Sequence, residues 1–451
     1  MLGKSIEIWI VSQSYLPHHG GITEHVWNLA AALARRGHRA TIVTGGAVRK
    51  RPARHPDACS PRDFEPPNMD PDPPGCDPDP PGVEVVRLGR TIRVPSHGSR
   101  ACVTLGCDAW SRRGLLRKRP APDIVHLQSP LEPFLPLAIL RSAPGIKIGT
   151  FHTGGSRDHW GYRLFAPALA SDFARLRARI AVSEEAARFA SVHFPGRYEI
   201  IPNGVDVARF AHPDRAEAAA GEEVDGGASS AKGSAGLARG HGRSPTILFV
   251  GRLEKRKGLH ILLEACDRMG KQTAASGRGG PLVRIVGEGP ERAGLERLAA
   301  RLGVRATFDG PVARESLPRC YASADLFAAT STDGESFGVS LLEAMASGLP
   351  IVASDLPGYR QTLAGSGAAL FFRAGSADDL ARSLARLSED PAMRCALGRA
   401  GRRFVRKYDW DAIARRVEGL YRAALDGEMT GREPRSFVTD SSSGFSSARE
   451  A

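Results

Sequence analysis

Two acidic residues eight positions apart form the most specific chemical pattern in the sequence. They are Glu335 and Glu343, in the segment 333–344, which reads DGESFGVSLLEA. The pattern predicts a loop that holds Glu335 just before a helix N-terminus, with Glu343 about two turns inside that helix. Carboxylates accept hydrogen bonds from paired hydroxyls, so we expect one acid to contact a sugar and the other a ribose. For Glu335 alone, a simple complement to the helix dipole is an open alternative.

A cationic loop in the same half of the chain could hold a diphosphate. The segment 250–258 reads VGRLEKRKG and follows a strand pattern. Arg252 offers a planar fork for two oxygens and Lys257 a compact charge, so both could reach one diphosphate. A solvated basic loop is the alternative. The bracketing glycines and the strand–loop–helix position favour phosphate binding.

Two weaker signals lie in the first half of the chain. Gly20 and Gly21 follow a strand and open a helix, where paired glycines let the backbone approach an anion. From these glycines alone, a plain tight turn is the favoured interpretation. His152 ends a later strand, where it could hydrogen-bond a sugar. From the residues alone, a histidine satisfied by structural hydrogen bonds is the favoured interpretation.

Alternating strand and helix patterns must position these residues. The alternation predicts an α/β protein with parallel sheets and helices on both faces, built as two Rossmann-like domains that face each other across a cleft. Strands are expected at Ile6–Val11, Ala40–Val43, Val83–Arg87, Ile124–Leu127, Lys147–Thr150, Thr246–Val250, Leu282–Val286, Leu326–Ala329, Pro350–Ala353 and Ala369–Phe372. Helices are expected at Glu24–Arg36, Gly258–Met269 and Arg292–Leu302.

Changes in composition divide the chain. We expect a first domain at 1–205, with a proline-rich insertion at 48–82, and a flexible connector at 206–245. A second domain follows at 246–407, then a helix at 408–425 and a disordered tail at 426–451.

Composition excludes some classes of protein. The chain has 451 residues, of which 42% are hydrophobic and 25% charged, so it is neither wholly disordered nor a multispan membrane protein. The seven cysteines are scattered without a CxxC pair, which fits a reducing cytosol. We read the N-terminus as a first strand and not a signal peptide.

The net charge of +13 favours nucleic acid, anionic lipid or phosphorylated partners, or reflects a solvated arginine-rich surface. A nucleic-acid binder lacks support, since we find neither a helix-turn-helix nor a basic stripe interleaved with aromatics. A nicotinamide-dependent dehydrogenase is the alternative from another enzyme class. However, no G-x-G-x-x-G pattern follows the first strand.

Several of these motifs together resemble the retaining family 4 glycosyltransferases of GT-B fold. The resemblance covers most of residues 5–425, apart from the two insertions. Its motifs are Glu335–Gly338 with Glu343 and Ala344, Gly251–Gly258, Ile201–Asp206 and Gly310–Leu326. Within the family the chain looks most like the phosphatidylinositol mannosyltransferases. The residues concerned are Gly20–Ile22, Phe151–Thr153 and Arg179–Ser183.

The resemblance implies a metal-independent, retaining hexosyl transfer from a nucleotide diphosphate sugar, with no cofactor. Arg252 and Lys257 would neutralise the leaving diphosphate, with His152 and Glu335 on the transferred sugar. The further substrate-binding residues would be Gly20 and Gly21 beneath the diphosphate, Ser336, Phe337 and Gly338 around the sugar, Glu343 on the ribose, Gly310 and Val312 at the base, and Ser99 and Arg157. The helix at 408–425 would cross back to the first domain.

The resemblance also implies an acceptor and a place in the cell. The donor would be GDP-mannose and the acceptor a lipid such as phosphatidylinositol, at the cytoplasmic face of the membrane. A basic stretch could contact anionic lipid at about 1 kcal/mol per cation, or be a solvated face. It comprises Arg112, Arg113, Arg117, Lys118 and Arg119. The alternative is a UDP-sugar donor, carrying N-acetylglucosamine or glucose, with a soluble or polysaccharide acceptor.

Overall fold

The computed structural model describes residues 4–17, 20–46, 78–96, 99–105, 114, 119–154, 160–211, 244–274 and 279–428. Several predictions fall outside this part of the chain. They concern Arg157, Arg112, Arg113, Arg117 and Lys118, and most of the insertion, connector and tail predicted at 48–82, 206–245 and 426–451.

The first domain is built on a seven-stranded parallel sheet. Its apolar strands are covered on both faces, as parallel sheets require. The strands of this domain are β1 (Glu7–Ser12), β2 (Arg39–Gly45), β3 (Glu84–Leu88), β4 (Arg90–Ser96), β5 (Ser99–Leu105), β6 (Ile124–Gln128), β7 (Ile146–Phe151), β8 (Ala178–Ala181) and β9 (Glu199–Ile200). The sheet order is β3-β2-β1-β6-β7-β8-β9, while β4 and β5 form a separate antiparallel hairpin.

Helices connect these strands. They are α1 (Gly21–Arg35), α2 (Leu135–Ser142), α3 (Trp160–Phe173), α4 (Glu184–Ser191) and the short α5 (Val207–Phe210). Helix α4 begins where the Ser183 side chain accepts a hydrogen bond from the Ala186 backbone, which satisfies a free N–H of the first turn.

The second domain repeats the plan with a six-stranded parallel sheet. Its strands are β10 (Thr246–Val250), β11 (Leu282–Val286), β12 (Ala306–Gly310), β13 (Leu326–Ala329), β14 (Ile351–Ser354) and β15 (Ala369–Phe372), in the order β12-β11-β10-β13-β14-β15. Its helices are α6 (Leu259–Ala274), α7 (Arg292–Leu302), α8 (Leu317–Ala322), α9 (Val339–Ala346), α10 (Pro357–Leu363), α11 (Ala377–Glu389) and α12 (Pro391–Val405). Short 3₁₀ turns lie at Lys255–Lys257, Arg314–Ser316 and Arg406–Tyr408.

The last described helix, α13 (Trp410–Leu425), returns to the first domain. Its apolar face, including Ile413 and Tyr421, is buried in the same core as β1 and α1. The chain passes between the domains twice, near Val205 and near Tyr408. The two crossings lie side by side, since the Val205 backbone N–H donates to the Tyr408 carbonyl at 2.9 Å. This juncture is a two-stranded hinge between the domains.

Most of the predicted elements occur with shifts of a few residues at their ends. The strands Thr246–Val250, Leu282–Val286, Leu326–Ala329 and Ala369–Phe372 have the predicted bounds. The β4–β5 hairpin was not predicted, and neither were β8, β9 and β12. The hairpin carries arginines and a proline among its apolar residues, so it lacks the alternation that marks a half-buried strand.

Candidate active site

Glu335 is held by two cations from a neighbouring loop. It follows β13, while Arg256 and Lys257 lie on the 3₁₀ turn after the adjacent strand β10. Lys257 Nζ and Arg256 Nη1 both donate to Glu335 Oε1, the second at 3.0 Å, and Ser331 Oγ donates to the same oxygen at 3.1 Å. The Glu335 side chain is only 8% exposed. The structure therefore brings the predicted acid and the predicted lysine into direct contact.

The charge state of Glu335 follows from these contacts. Burial alone would raise the pKa of this carboxyl, but Lys257 and Arg256 outweigh burial and hold it below its usual range. Glu335 is consequently a carboxylate at neutral pH. Glu335 can therefore accept hydrogen bonds from hydroxyls, and the adjacent Lys257 can bind a phosphate.

Arg252 does not contact Glu335 directly. Its guanidinium pairs with Glu254 Oε1 at 3.0 Å and is 46% exposed. Glu254 in turn binds Arg256 at 3.0 Å, so Arg252 joins the Glu335 cluster through two intermediates. Arg256 was not among the predicted site residues, because a run of cations does not reveal which side chains a tight turn directs at the next loop.

Glu343 occupies a different environment, inside α9. Tyr321 Oη donates to Glu343 Oε2 at 2.6 Å. Burial raises the pKa of Glu343 to about 7, and nearby Glu24 adds to this, while Tyr321, Arg209 and Arg314 act against it. The two acids predicted to hold two ends of one ligand thus lie in separate side-chain clusters.

Arg314 connects the Glu343 region to the first domain. Its Nε donates to Glu24 Oε2 at 3.1 Å and its Nη2 to Asn28 Oδ1 at 2.7 Å, both on α1. Its guanidinium carbon also lies 3.6 Å from the centre of the Trp27 ring. Sequence alone did not single out these residues. They form a partly buried cross-domain clasp, defined as Arg314 with Glu24, Trp27 and Asn28.

His152 meets the second domain at the Glu335 loop. Ser336 Oγ donates to the His152 carbonyl at 2.8 Å. A Cβ added to Gly154 would lie 2.8 Å from Ser336 Cβ, so the two loops are in close contact. Gly21 faces the start of α9, since a Cβ there would lie 3.9 Å from Val339 Cγ2. The structure therefore places His152, Gly21, Ser336 and Glu335 along one interdomain cleft.

Three histidines lie together in the first domain. His152 Nε2 lies 2.7 Å from Gln128 Oε1, and its ring packs edge-to-face on His25 at 4.8 Å. Burial lowers the pKa of His25 to about 4 and that of His126 to about 3. Burial, followed by the neighbouring His25 and His126, lowers the pKa of His152 well below its usual value. All three are neutral at pH 7.

Other predicted residues take structural positions near the cleft. Phe337 is buried and packs edge-to-face on Tyr408 at 6.0 Å. Gly338 and Gly310 have φ values of +84° and +73°, which favour glycine. Gly20 caps α1 and its carbonyl accepts from Glu24 N at 3.0 Å, while the half-buried Val312 packs against the core that the domains share.

Two acceptor-side predictions can be located only in part. Ser99 begins β5 opposite Ser96, and its side chain is outside the described set. Arg119 Nε donates to both carboxylate oxygens of Glu84, at 2.9 and 3.1 Å. Arg119 therefore pairs with the half-exposed Glu84, and its contact with anionic lipid stays a prediction.

The described residues lack two kinds of feature. They contain no group of three or more His, Cys, Asp or Glu side chains placed to hold a metal ion. No helix among them combines the length and hydropathy needed to cross a bilayer.

Two family models match the chain, one in each domain. The model described as Glycosyltransferase Family 4 matches residues 19–209, and the one described as Glycosyl transferases group 1 matches residues 239–404. The two matches end close to the interdomain hinge.

Named relatives extend over most of the chain. It is 30% identical over 409 residues to a phosphatidyl-myo-inositol mannosyltransferase of Mycobacterium tuberculosis, covering 89% of this chain and 93% of that one. A GDP-mannose-dependent alpha-(1-6)-phosphatidylinositol monomannoside mannosyltransferase of the same species is 32% identical over 246 residues, covering 52% and 59%. A D-inositol 3-phosphate glycosyltransferase of Salinispora tropica is 32% identical over 250 residues, covering 52% and 48%.

Solved structures match the fold. A sucrose-phosphate synthase of Thermosynechococcus elongatus is 20% identical and superposes with a TM-score of 0.66, covering 93% of this chain and 99% of the other. Two facing Rossmann-like domains with a returning C-terminal helix confirm the predicted GT-B architecture.

Proposed function

The chain belongs to the family 4 glycosyltransferases, and we propose that it transfers mannose from GDP-mannose to a lipid acceptor such as phosphatidylinositol, at the cytoplasmic face of the membrane. One observation carries the proposal. The ionised Glu335, held by Lys257 and Arg256, adjoins His152 across the cleft through the Ser336–His152 contact. Charge for a diphosphate and acceptors for a sugar's hydroxyls are thus assembled from both domains at one place.

The proposed reaction is a retaining transfer. The bond between the anomeric carbon and the leaving phosphate breaks, the bond to the acceptor oxygen forms on the same face, and the leaving phosphate takes the acceptor's proton. Lys257 and Arg252 stabilise the charge that develops on the diphosphate, while Glu335 holds sugar hydroxyls. Glu343 takes the ribose, and closure at the hinge excludes water. No base and no metal is assigned to this step.

The donor proposal draws on a relative. The mannosyltransferase of M. tuberculosis named as GDP-mannose-dependent is similar over the half of this chain that its match covers. Glu335, Lys257 and Glu343 do not themselves select a base, because carboxylates and cations recognise sugars, riboses and diphosphates of any nucleotide.

A lipid acceptor is supported by exposed apolar side chains on the first domain. Leu164 and Phe165 on α3 are 64% and 52% exposed, and Phe134 at the start of α2 is 47% exposed. Helix α2 contacts α3, so these side chains lie on neighbouring segments. Arg163, beside Leu164, is also exposed and supplies a cation for an anionic lipid surface.

A second candidate has an observation in its favour. The relative from S. tropica is named for D-inositol 3-phosphate, a water-soluble acceptor. A family 4 enzyme that uses a UDP-sugar and a soluble inositol phosphate is therefore the alternative. Both candidates share an acceptor built on phosphorylated inositol.

Thermal unfolding with a panel of GDP-, UDP- and ADP-sugars tests the donor. A ligand that binds only the folded protein at a hundred times its Kd adds about 2.7 kcal/mol of stability. We expect GDP-mannose to raise Tm most. A rise with UDP-sugars alone would contradict the donor assignment and favour the second candidate. Repeating the panel and the transfer assay with EDTA tests metal independence, which predicts unchanged results.

Transfer to phosphatidylinositol vesicles and to free inositol 3-phosphate separates the acceptors. The paired change Leu164→Asp with Phe165→Asp should weaken vesicle binding and lipid glycosylation. Leu425→Asp is a control, since Leu425 is 39% exposed on α13, a helix that packs in the core of β1 and α1. Transfer to the free inositol phosphate only would contradict the lipid acceptor.

A further inference from the structure

The buried Gln128 and the half-buried His152 form a polar pair beneath the cleft. Gln128 is the last residue of β6 and is 1% exposed. It stands opposite Thr150 on the parallel strand β7, and His152 follows two residues later at the same sheet edge. Gln128 Oε1 and His152 Nε2 are 2.7 Å apart, a normal hydrogen-bond distance. Gln128 belongs to no motif identified in the sequence.

The contact determines which ring nitrogen of His152 carries the proton. An amide oxygen can only accept a hydrogen bond, so with Gln128 Oε1 facing the ring the donor is Nε2, which carries the proton. Burial, followed by His25 and His126, lowers the pKa of His152, so the ring is neutral and has a single N–H. Nδ1 is then an acceptor with a lone pair.

Other contacts hold the ring and its backbone in place. The His25 ring packs against the His152 ring at 80° and against Trp410 at 77°. His25 Nδ1 lies 2.9 Å from Asn203 Oδ1, next to the hinge. From the second domain, Ser336 Oγ binds the His152 carbonyl. His152 is thus fixed relative to the Glu335 loop as well as to its own sheet.

We propose that Gln128 is a positioning residue that holds His152 in its Nε2–H tautomer and so makes Nδ1 a hydrogen-bond acceptor for a hydroxyl of the transferred sugar. The sugar contact rests on the proposed function. The tautomer is a property of the protein alone, and a test without any substrate can establish it.

Nitrogen NMR of protein labelled with ¹⁵N-histidine reads the tautomer directly. Long-range proton–nitrogen correlations at pH 7, assigned with His152→Ala, should show a protonated Nε2 and an unprotonated Nδ1. In Gln128→Leu the nitrogen chemical shifts of His152 Nδ1 and Nε2 should move towards each other, because both tautomers are then populated. A protonated Nδ1 in the wild type, or an unchanged spectrum in Gln128→Leu, would overturn the proposal.

Gln13→Leu is the matched control. Gln13 is another buried glutamine, just after β1, and its Nε2 donates to Glu132 Oε2 at 3.1 Å. Gln13→Leu removes a buried amide of the same size but keeps the contact between Gln128 and His152. The His152 spectrum should therefore keep its wild-type pattern, and a change equal to that in Gln128→Leu would show a merely structural role.

Gln128→Glu keeps the test usable if the leucine variant does not fold. A carboxylate oxygen still accepts from Nε2, and its charge should move the His152 titration upward. A titration left unchanged would mean that residue 128 does not bind the ring.

Measurements of kcat and of the donor KM then test whether catalysis depends on this His152 tautomer. Gln128→Leu should lower kcat about tenfold, the worth of one net hydrogen bond, with a smaller change in the donor KM. An unchanged kcat in a variant that has lost the tautomer would overturn the catalytic role alone. If the wild type transfers no sugar, the proposed function fails while the NMR result still decides the tautomer.

Discussion

Glu335 and Glu343 belong to one loop–helix segment and both side chains are nearly buried, yet they have opposite charge preferences. Two cations hold the pKa of Glu335 below its usual range. Glu343 meets a tyrosine hydroxyl, and burial raises its pKa to about 7. The comparison shows that the partners supplied by other loops, and not residue type or depth, decide what each carboxyl can do.

This difference suits two ends of one donor. A fixed carboxylate beside cations can hold the transferred sugar next to its diphosphate. A carboxyl that is neutral or charged near pH 7 can either donate or accept with the hydroxyls of a ribose. Replacing Glu335 should therefore affect the enzyme differently from replacing Glu343.

The largest effect is expected for Glu335→Gln. It keeps the shape and removes the charge, so kcat/KM should fall about a thousandfold. Glu296→Gln is the control, because Glu296 also pairs with an arginine, Arg292 at 2.9 Å, but is 44% exposed on α7. Transfer assays that show equal activity in the two variants would remove Glu335 from the site.

The next effect is expected for Lys257→Met, at about a hundredfold in kcat, since one charge on the leaving diphosphate is lost while Arg252 remains. Lys255→Met is the matched control, because Lys255 is an exposed lysine of the same turn. If both variants lose activity equally, the effect comes from the overall charge of the loop and not from the contact with Glu335.

A smaller effect, about tenfold on the donor KM, is expected for Arg314→Met. The clasp joins the domains beside Glu343, and coupling between two sites is typically worth about 1–3 kcal/mol. Arg319→Met changes a nearby exposed arginine and should leave KM unchanged. Small-angle scattering should show a larger radius of gyration for Arg314→Met alone, and no difference between the variants would argue against the clasp.

The smallest effect concerns pH. Because the folded pKa of Glu343 is raised, its contribution to the free energy of unfolding falls as pH rises from about 4.5 to about 7. Glu343→Gln should flatten that decline in Tm. Glu335 acts oppositely, because its folded pKa is lowered. Its contribution to the free energy of unfolding is present above pH about 4.5 and is lost as pH falls below that value. Glu335→Gln should therefore reduce the fall in Tm at acid pH. If Tm depends on pH with the same slope in both variants, the proposed difference between Glu335 and Glu343 is wrong.

The sequence predicted the helix after Glu335 and the flanking buried strands, because these are local patterns. It placed Glu343 about two turns inside that helix, whereas Glu343 is the fifth residue of α9, about one turn inside. It did not predict the partners. Gln128 reaches His152 from another strand, and Arg314 reaches α1 from another domain. Arg256 was missed in favour of Arg252, since only the folded turn determines which guanidinium lies over Glu335. Local periodicity specifies elements, whereas contacts between distant segments need the fold.

A crystal structure with GDP-mannose, or with a slowly reacting fluorinated analogue, tests the central claim most directly. We expect the sugar hydroxyls on Glu335, the diphosphate near Lys257 and Gly21, and the ribose on Glu343. A donor bound elsewhere, or one that leaves Glu335 with only its present partners Lys257, Arg256 and Ser331, would show that the proposed donor site is wrong.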